Sequence, residues 1–200
     1  MNFRGALERE WSPCGTLSNA QLADLERHYL SLLRWNRSLN LTRIQKLEDS
    51  IRLHYCESLY LGLSLPSGTL RIADIGSGGG FPGIPIAVIR PECSLTVIEA
   101  HRRKAVFLRE AAASLANVRV VERRAEEVSE QFDWIVARAV APKQVLSMGL
   151  APAIAILTSL RELGNMPPPQ EVRPIPWGVQ RVIAMFHVEL RDIKKARESC

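Results

Sequence analysis

The sequence reads LRIADIGSGGGFPG from Leu70 to Gly83, and this stretch decides the fold. Residues 70–75 have the apolar pattern of a short buried strand. The glycines that follow suit a tight turn and let the backbone approach a ligand closely. The stretch therefore predicts a strand, a glycine turn and then a helix.

Strand and helix signals alternate after this turn. Strands are predicted at 94–99, 118–121 and 132–137, and a helix over 101–115. Such alternation is typical of parallel strands joined by crossover helices, with the ligand at the carboxyl ends of the strands. We expect an α/β, doubly wound, Rossmann-like sheet.

The region before the glycine turn has a helical pattern instead. Ser18 and Gln21 form a capping-box pattern at the start of a periodic apolar stretch. A second such stretch, 51–61, ends near the Pro66-Ser67-Gly68 break. We therefore divide the chain into an N-terminal helical region, 1–65, and a ligand-binding domain, 66–200.

The composition argues against a membrane protein and against a metal site. The 200 residues are 46% hydrophobic and 24% charged, and no apolar run reaches the roughly 18 residues of a membrane span. We expect a cytoplasmic protein without a membrane partner. The four cysteines, Cys14, Cys56, Cys93 and Cys200, lack metal-ligand spacing, so we expect reduced thiols and no metal. A net charge of +5 favours polyanionic partners.

The glycine turn fits two cofactor patterns. Gly78, Gly80 and Gly83 satisfy the G-x-G-x-x-G pattern of dinucleotide binding. Asp74, Gly76, Gly78 and Gly80 satisfy the D-x-G-x-G-x-G pattern of methyltransferases. The glycines alone do not choose between them.

The charge of Asp74 favours the second pattern. A carboxylate there would repel a pyrophosphate by about 1 to 4 kcal/mol, and would attract the sulfonium and ammonium of S-adenosylmethionine by a similar amount. We therefore expect S-adenosylmethionine as cofactor, with a nicotinamide-dependent dehydrogenase as the alternative.

Three later positions extend the predicted cofactor site. Glu99 ends the second strand, where Rossmann-type sites place an acid against ribose hydroxyls. Ala125 and Glu126 follow the third strand, where class I methyltransferases hold the adenine ring. Arg138 ends the fourth strand and is a candidate clamp for a phosphate or carboxylate.

Longer stretches carry a more specific likeness. They are Trp35–Thr42, Gly76–Pro85, Arg90-Pro91, Arg124–Glu127 and Ala137–Pro142. In these residues, over about 18–145, the chain resembles the RsmG (GidB) family of bacterial methyltransferases, which form 7-methylguanosine in 16S ribosomal RNA. The resemblance implies a mostly parallel class I methyltransferase sheet with an antiparallel last strand.

The resemblance also implies that Gly76, Phe81, Ala125, Glu126 and Arg138 contact the cofactor. The complete predicted cofactor set is Asp74, Gly76, Ser77, Gly78, Phe81, Glu99, Ala125, Glu126 and Arg138. We assign no catalytic base, because the N7 atom of guanine already has a free lone pair and orientation can supply the acceleration.

The family pattern weakens beyond Leu150. The proline-glycine-glycine turn and the lysine-glycine end of the fifth strand are absent. If Ala153–Thr158 is the fifth strand, Thr158-Ser159 stands where the family has its lysine. A closing antiparallel strand is predicted over Val179–Val188, but the residues of the target-base pocket stay unassigned.

The implied partner is 16S ribosomal RNA or the small ribosomal subunit, bound by a monomer. The candidate phosphate-binding residues are Arg103, Lys104, Arg123, Arg124 and Lys143. For Trp35 and His54 we favour a packing role over base stacking. Two further classes stay open: a methyltransferase of small molecules or proteins, and a non-enzymatic RNA-binding protein.

Overall fold

The computed structural model describes residues 2–140 and 142–187. Helices α1 to α8 span Phe3–Trp11, Asn19–Leu39, Leu47–Ser50, Glu57–Ser64, Gly83–Ile89, Arg102–Ala111, Pro142–Ser147 and Leu160–Leu163. A π-helical segment, Ile51–Cys56, joins α3 to α4. Short 3-10 turns lie at Ser12–Cys14 and Ala125–Glu127.

Strands β1 to β7 form one sheet. They span Arg71–Ile75, Ser94–Ile98, Val118–Val121, Trp134–Arg138, Ala153–Ser159, Glu171–Pro174 and Arg181–His187. Their order is β3-β2-β1-β4-β5-β7-β6. Strands β1 to β5 pair in parallel, β7 runs antiparallel to β5, and β6 runs antiparallel to β7. The prediction of a mostly parallel sheet with an antiparallel last strand is confirmed.

The register brings the carboxyl ends of the central strands together. Ile75, the last residue of β1, lies opposite Ile98 of β2 and Ala137 of β4. The residues that follow these three strands therefore meet at one edge of the sheet, where open α/β sheets bind ligands.

The predicted capping box is present at the start of α2. The Ser18 hydroxyl oxygen accepts from the Gln21 N–H, and the Gln21 side-chain oxygen accepts from the Ser18 N–H. These bonds satisfy donors that a helix start otherwise leaves free. The helix that begins here continues to Leu39.

The N-terminal helices pack on one face of the sheet domain. Trp11 of α1, Leu25 of α2 and Tyr55 of the π-helical segment share a buried apolar cluster with Ile84 of α5 and Phe107 of α6. The core is therefore continuous between the two predicted regions.

Two sequence expectations fall partly outside the described residues. Cys14, Cys56 and Cys93 are free thiols, and Cys200 lies outside the described part. The closing strand ends at His187, and Val188 lies outside it too, as does Ala141. Among helices in the described ranges, none is long and apolar enough to cross a membrane.

The glycine turn is built over the buried side chain of Asp74. Its Oδ2 accepts hydrogen bonds from the Ser77 hydroxyl and from the Gly83 N–H (2.9 Å between N and O). A Cβ atom on Gly83 would lie 2.5 Å from Oδ2, so only glycine lets the start of α5 come this close. The Asp74 carboxylate thus joins the end of β1 to both ends of the turn.

Burial makes the charge of this carboxylate costly. Asp74 is fully buried, and its Oδ1 has no hydrogen-bond partner in the described part of the chain. Burial raises the pKa of Asp74 to about 6, against the opposing effects of the Ser77 and Gly83 hydrogen bonds and of the Arg138 charge. The folded state therefore takes up a proton here at a higher pH than the unfolded chain does.

We expect the Asp74→Asn variant to lose the part of the pH dependence of stability that comes from protonation of Asp74. Because the pKa of Asp74 is raised on folding, protonation favours the folded state. Wild type should become more stable relative to the variant as the pH falls from 7.5 to 4, by up to about 3 kcal/mol at about 1.4 kcal/mol per pKa unit. Urea unfolding at a series of pH values measures this difference.

Asp133→Asn is the matched control with the opposite sign. Hydrogen bonds from the Arg71 backbone and side chain lower the pKa of Asp133, so wild type should lose stability relative to this variant as the pH falls. Parallel stability curves for wild type and Asp74→Asn would show that Asp74 is not the buried, raised-pKa carboxylate described here.

Candidate functional site

A pocket of about 270 Å³ opens where the carboxyl ends of the central strands meet. Twelve residues line it: Ile75, Gly76, Ile98, Glu99, Ala100, Arg123, Arg124, Ala125, Glu126, Val140, Gln144 and Met148. Gly76, Glu99, Ala125 and Glu126 were predicted cofactor residues, and the structure brings them together. The lining combines apolar walls with a few polar groups, as small-ligand sites do.

Glu99 is held in a defined orientation at the end of β2. Its Oε2 accepts from the Gly78 N–H (3.1 Å) and its Oε1 from the His101 N–H (2.8 Å). Each carboxylate oxygen keeps a further lone pair that a ligand donor can use. Gly78 does not line the pocket itself, but it positions the carboxylate that does.

The opposite wall is formed by the 3-10 turn after β3. Ala125 is buried, while Glu126 is exposed and accepts a hydrogen bond from the Gln144 side chain (2.6 Å). Its own backbone amide and then Gln144 lower the pKa of Glu126. Glu126 is therefore a fixed carboxylate at the rim of the pocket.

Three predicted cofactor residues lie beneath the turn instead. Asp74 and Ser77 bond to each other and are buried. Phe81 is also buried, with its ring stacked on His54 at 4.5 Å between centroids. None of the three lines the pocket. Their expected contact with the cofactor stays a prediction, and in this structure their contacts are with the turn and the residues around it.

Arg138, at the end of β4, contacts Phe81 and residues of the π-helical segment. Its Nη1 donates to the Leu53 carbonyl (2.9 Å) and to His54 Nδ1 (2.7 Å), and the guanidinium lies 5.3 Å from the centre of the Phe81 ring. Burial lowers the pKa of Arg138 to about 10, so it stays charged at neutral pH. Arg138 thereby joins β4 to the N-terminal region, and it also lines a third cavity, so its expected role as a clamp stays a prediction.

A second cavity, of about 330 Å³, adjoins the first through Val140. Its lining comes from the ends of β4 and β5 and from the segment after them: Ala139, Val140, Ile156, Leu157, Thr158, Glu162, Asn165 and Met166. Glu162 Oε2 accepts from the Thr158 hydroxyl (2.9 Å), and this bond, more than any other interaction, lowers the pKa of the carboxyl. The lining residues from Ile156 onward were not predicted, because the family pattern weakens beyond Leu150.

A third cavity shares Ala139, Leu157 and Glu162 with the second. Arg181 of β7 lies on its wall and forms two hydrogen bonds with the fully buried carboxylate of Glu57 (2.8 and 2.7 Å). This ion pair joins α4 to the closing strand. Its partners are 124 residues apart, and no local pattern could have predicted it.

The predicted RNA-binding residues differ in exposure but share one property. Arg103, Arg123, Arg124 and Lys143 are exposed and Lys104 is half-buried. Within the described ranges none of the five forms a salt bridge. Arg123 and Arg124 also line the first pocket, so their positive charge lies at its mouth.

Trp35 and His54 have internal partners. The Trp35 indole N–H donates to Glu110 Oε2 (3.1 Å), and its ring lies 6.3 Å from Phe107. His54 is buried and bonds to Thr42 and Arg138. These contacts agree with the packing role that we favoured over base stacking.

The fold is that of S-adenosylmethionine-dependent methyltransferases. A crystal structure of such an enzyme from Aquifex aeolicus superposes with a TM-score of 0.51 at 17% identity, over 69% of this chain and 93% of that one. A ribosomal protein L11 methylase from Lactobacillus delbrueckii gives 0.52 at 14% identity, over 68% and 79%. At these identities the likeness concerns the fold alone.

Relatives found by sequence have a higher identity to this chain than these solved structures do. A ribosomal RNA small subunit methyltransferase G from Polynucleobacter asymbioticus is 43% identical over 133 residues, or 62% of this chain and 60% of that protein. One from Chloroflexus aggregans is 37% identical over 148 residues, or 70% and 62%. The chain thus spans about 60% of the length of these relatives.

The family model described as GidB, rRNA small subunit methyltransferase G, matches residues 21–155. That range contains α2 from its third residue onward, the glycine turn, Glu99, the turn at Ala125 and Arg138. It ends inside β5, so the second cavity is only partly within it. Because the match covers more than half of the chain, the protein belongs to the rRNA small subunit methyltransferase G (GidB) family.

Proposed function

We propose that this protein transfers the methyl group of S-adenosylmethionine to N7 of a guanine in 16S ribosomal RNA of the small subunit. One observation carries the proposal: the match to the family covers the residues that build the first pocket. The fold and the basic residues at the pocket mouth are consistent with it.

The pocket has the chemistry that the cofactor requires. Glu99 would accept hydrogen bonds from the ribose hydroxyls, and Ala125, Ile98 and Met148 would pack against the adenine ring. Gly76 leaves space near Val140 for the methionine end. When bound, the cofactor supplies a methyl group made electrophilic by the sulfonium.

We assign the rest of the predicted set to supporting roles. The negative charge of Asp74 lies beneath the turn, where it would favour a cationic ligand. Ser77 and Gly78 keep the turn closed and Glu99 oriented. Phe81 and Arg138 hold the turn and the end of β4 against the N-terminal region.

The second cavity is where the acceptor base would lie. It shares Val140 with the cofactor pocket, and its apolar walls include Ile156, Leu157 and Met166. Transfer would require that a base held between them present N7 toward the first pocket, and no proton has to leave that atom before transfer. The residues of the cavity would therefore act by orienting the base and excluding water.

The five predicted RNA-binding residues would bind the phosphates of the RNA backbone. Arg123 and Arg124 lie at the pocket mouth, with Arg103, Lys104 and Lys143 on adjacent elements at the same edge of the sheet. Because they have no salt-bridge partners in the described ranges, their charge is available for phosphates.

The substrate is tested with purified protein and labelled S-adenosylmethionine. Small ribosomal subunits, or their RNA, from a strain lacking the endogenous enzyme should gain 7-methylguanosine on nucleoside analysis. A different methylated nucleoside would contradict the N7 assignment. Cofactor binding without any RNA product would contradict an RNA substrate and favour a small molecule or protein as acceptor.

Salt dependence tests the RNA contacts in the same assay. At saturating cofactor, activity should fall steeply with salt, and Arg123→Ala with Arg124→Ala should reduce the log–log slope by about 1 to 2. Arg71→Ala with Arg119→Ala is the control of equal charge, since these arginines are paired with Asp133 and Glu130. Equal slopes for both double variants would refute phosphate binding by Arg123 and Arg124.

A further inference from the structure

Two buried histidines of the N-terminal region contact the parts of the sheet domain that carry the proposed cofactor site. His28 lies on α2 and contacts the glycine turn. His54 lies in the π-helical segment and contacts Arg138 at the end of β4. Neither residue was among the predicted site residues, and neither lines the first pocket.

The hydrogen bonds of His28 fix its tautomer. Its Nε2 lies 3.0 Å from the Gly79 carbonyl oxygen, which can only accept, so Nε2 carries the hydrogen. Its Nδ1 lies 2.8 Å from the Tyr55 hydroxyl and accepts from it. Both ring nitrogens are therefore used, and the ring is neutral, because burial lowers the pKa of His28 to about 4.

The glycine turn lies in direct contact with this ring. A Cβ atom on Gly80 would lie 2.7 Å from His28 Nε2, and one on Gly79 would lie 3.3 Å from Leu32 of the same helix. The turn has three consecutive glycines, which have no side chains to restrict their backbone. The turn has its own backbone bonds, from the Gly80 and Phe81 N–H groups to the Ser77 carbonyl, and His28 adds a bond from outside to the central glycine of the three.

His54 makes a similar contact at the end of β4, where it bonds to Arg138. Its Nδ1 accepts from Arg138 Nη1, so its Nε2 carries the hydrogen and donates to the Thr42 hydroxyl (2.7 Å). Phe81 lies between the two histidines, stacked on His54 and edge-on to His28 at 5.0 Å. The glycine turn and Arg138 are thus held through one connected set of contacts.

We infer that His28 and His54 are positioning residues through which the N-terminal helices hold the glycine turn and Arg138 in the geometry that binds the cofactor. The inference rests on the proposed function for the identity of the ligand. It gives the helical region a defined role in cofactor affinity. His28 acts through the Gly79 backbone, one residue from the Gly78 N–H that orients Glu99.

The test compares His28→Met with His28→Gln in the 200-residue chain. The two replacements have nearly the same length, but only glutamine offers an N–H for the Gly79 carbonyl. Titration calorimetry with S-adenosylhomocysteine should show binding weakened about tenfold or more in His28→Met and within about threefold of wild type in His28→Gln. In the methyl-transfer assay, His28→Met should raise the KM for the cofactor more than it lowers kcat.

Leu7→Ala is the control for a general loss of stability. Leu7 is fully buried in α1 in the same apolar cluster, and its truncation should cost stability while leaving S-adenosylhomocysteine affinity within about threefold of wild type. If His28→Met lowers stability but binds as tightly as His28→Gln, His28 is an ordinary core residue and the inference is wrong.

A second pair keeps the inference testable if His28→Met does not fold. His54→Met removes the acceptor for Arg138, while His54→Gln can accept from Arg138 and donate to Thr42. The glutamine variant should again bind S-adenosylhomocysteine more tightly, and equal affinities would overturn the inference. Failure of wild type to bind S-adenosylhomocysteine would instead contradict the proposed function. The experiment therefore distinguishes failure of the inference from failure of the proposed function.

Discussion

The hydrogen bonds that the buried Asp74 carboxylate accepts are the contacts on which the rest of the site depends. They come from the Ser77 hydroxyl and the Gly83 N–H, on either side of the three glycines. They close the turn over the end of β1, and in this closed turn the Gly78 N–H donates to Glu99. The stability cost of burying this charge is therefore tied to forming the proposed cofactor pocket.

Much of the fold could be predicted because its signals are local. The capping box at Ser18, the short strands and the glycine turn each depend on residues close together in sequence. Helix α1 and strand β6 were not predicted. Helix α1 has only nine residues, and its burial depends on helices elsewhere in the chain. Strand β6 is a four-residue edge strand that ends at Pro174 and is defined by its pairing with β7.

The site was predictable to a similar degree and for the same reason. Glu99 ends one predicted strand and Ala125 follows another, so parallel topology alone brings them to one edge. The environment of Arg138 was not predictable, because its partners Leu53 and His54 are 85 and 84 residues away. The role of His28 could not be predicted either. A histidine on the apolar face of a helix is expected to be a core residue, and only the structure shows that His28 contacts the glycine turn.

The central claim is that the glycine turn over Asp74 forms the cofactor site, and the Gly76→Arg variant tests it most directly. Gly76 has a φ of 68°, and a Cβ there would lie 3.0 Å from Val140 at the pocket wall. Gly68→Arg is the control, with a φ of 97° and no atom within 4 Å of the added Cβ. With circular dichroism unchanged in both, calorimetry should show S-adenosylhomocysteine binding weakened about 100-fold or more in Gly76→Arg and retained in Gly68→Arg. Near-native affinity in a folded Gly76→Arg variant would contradict the claim.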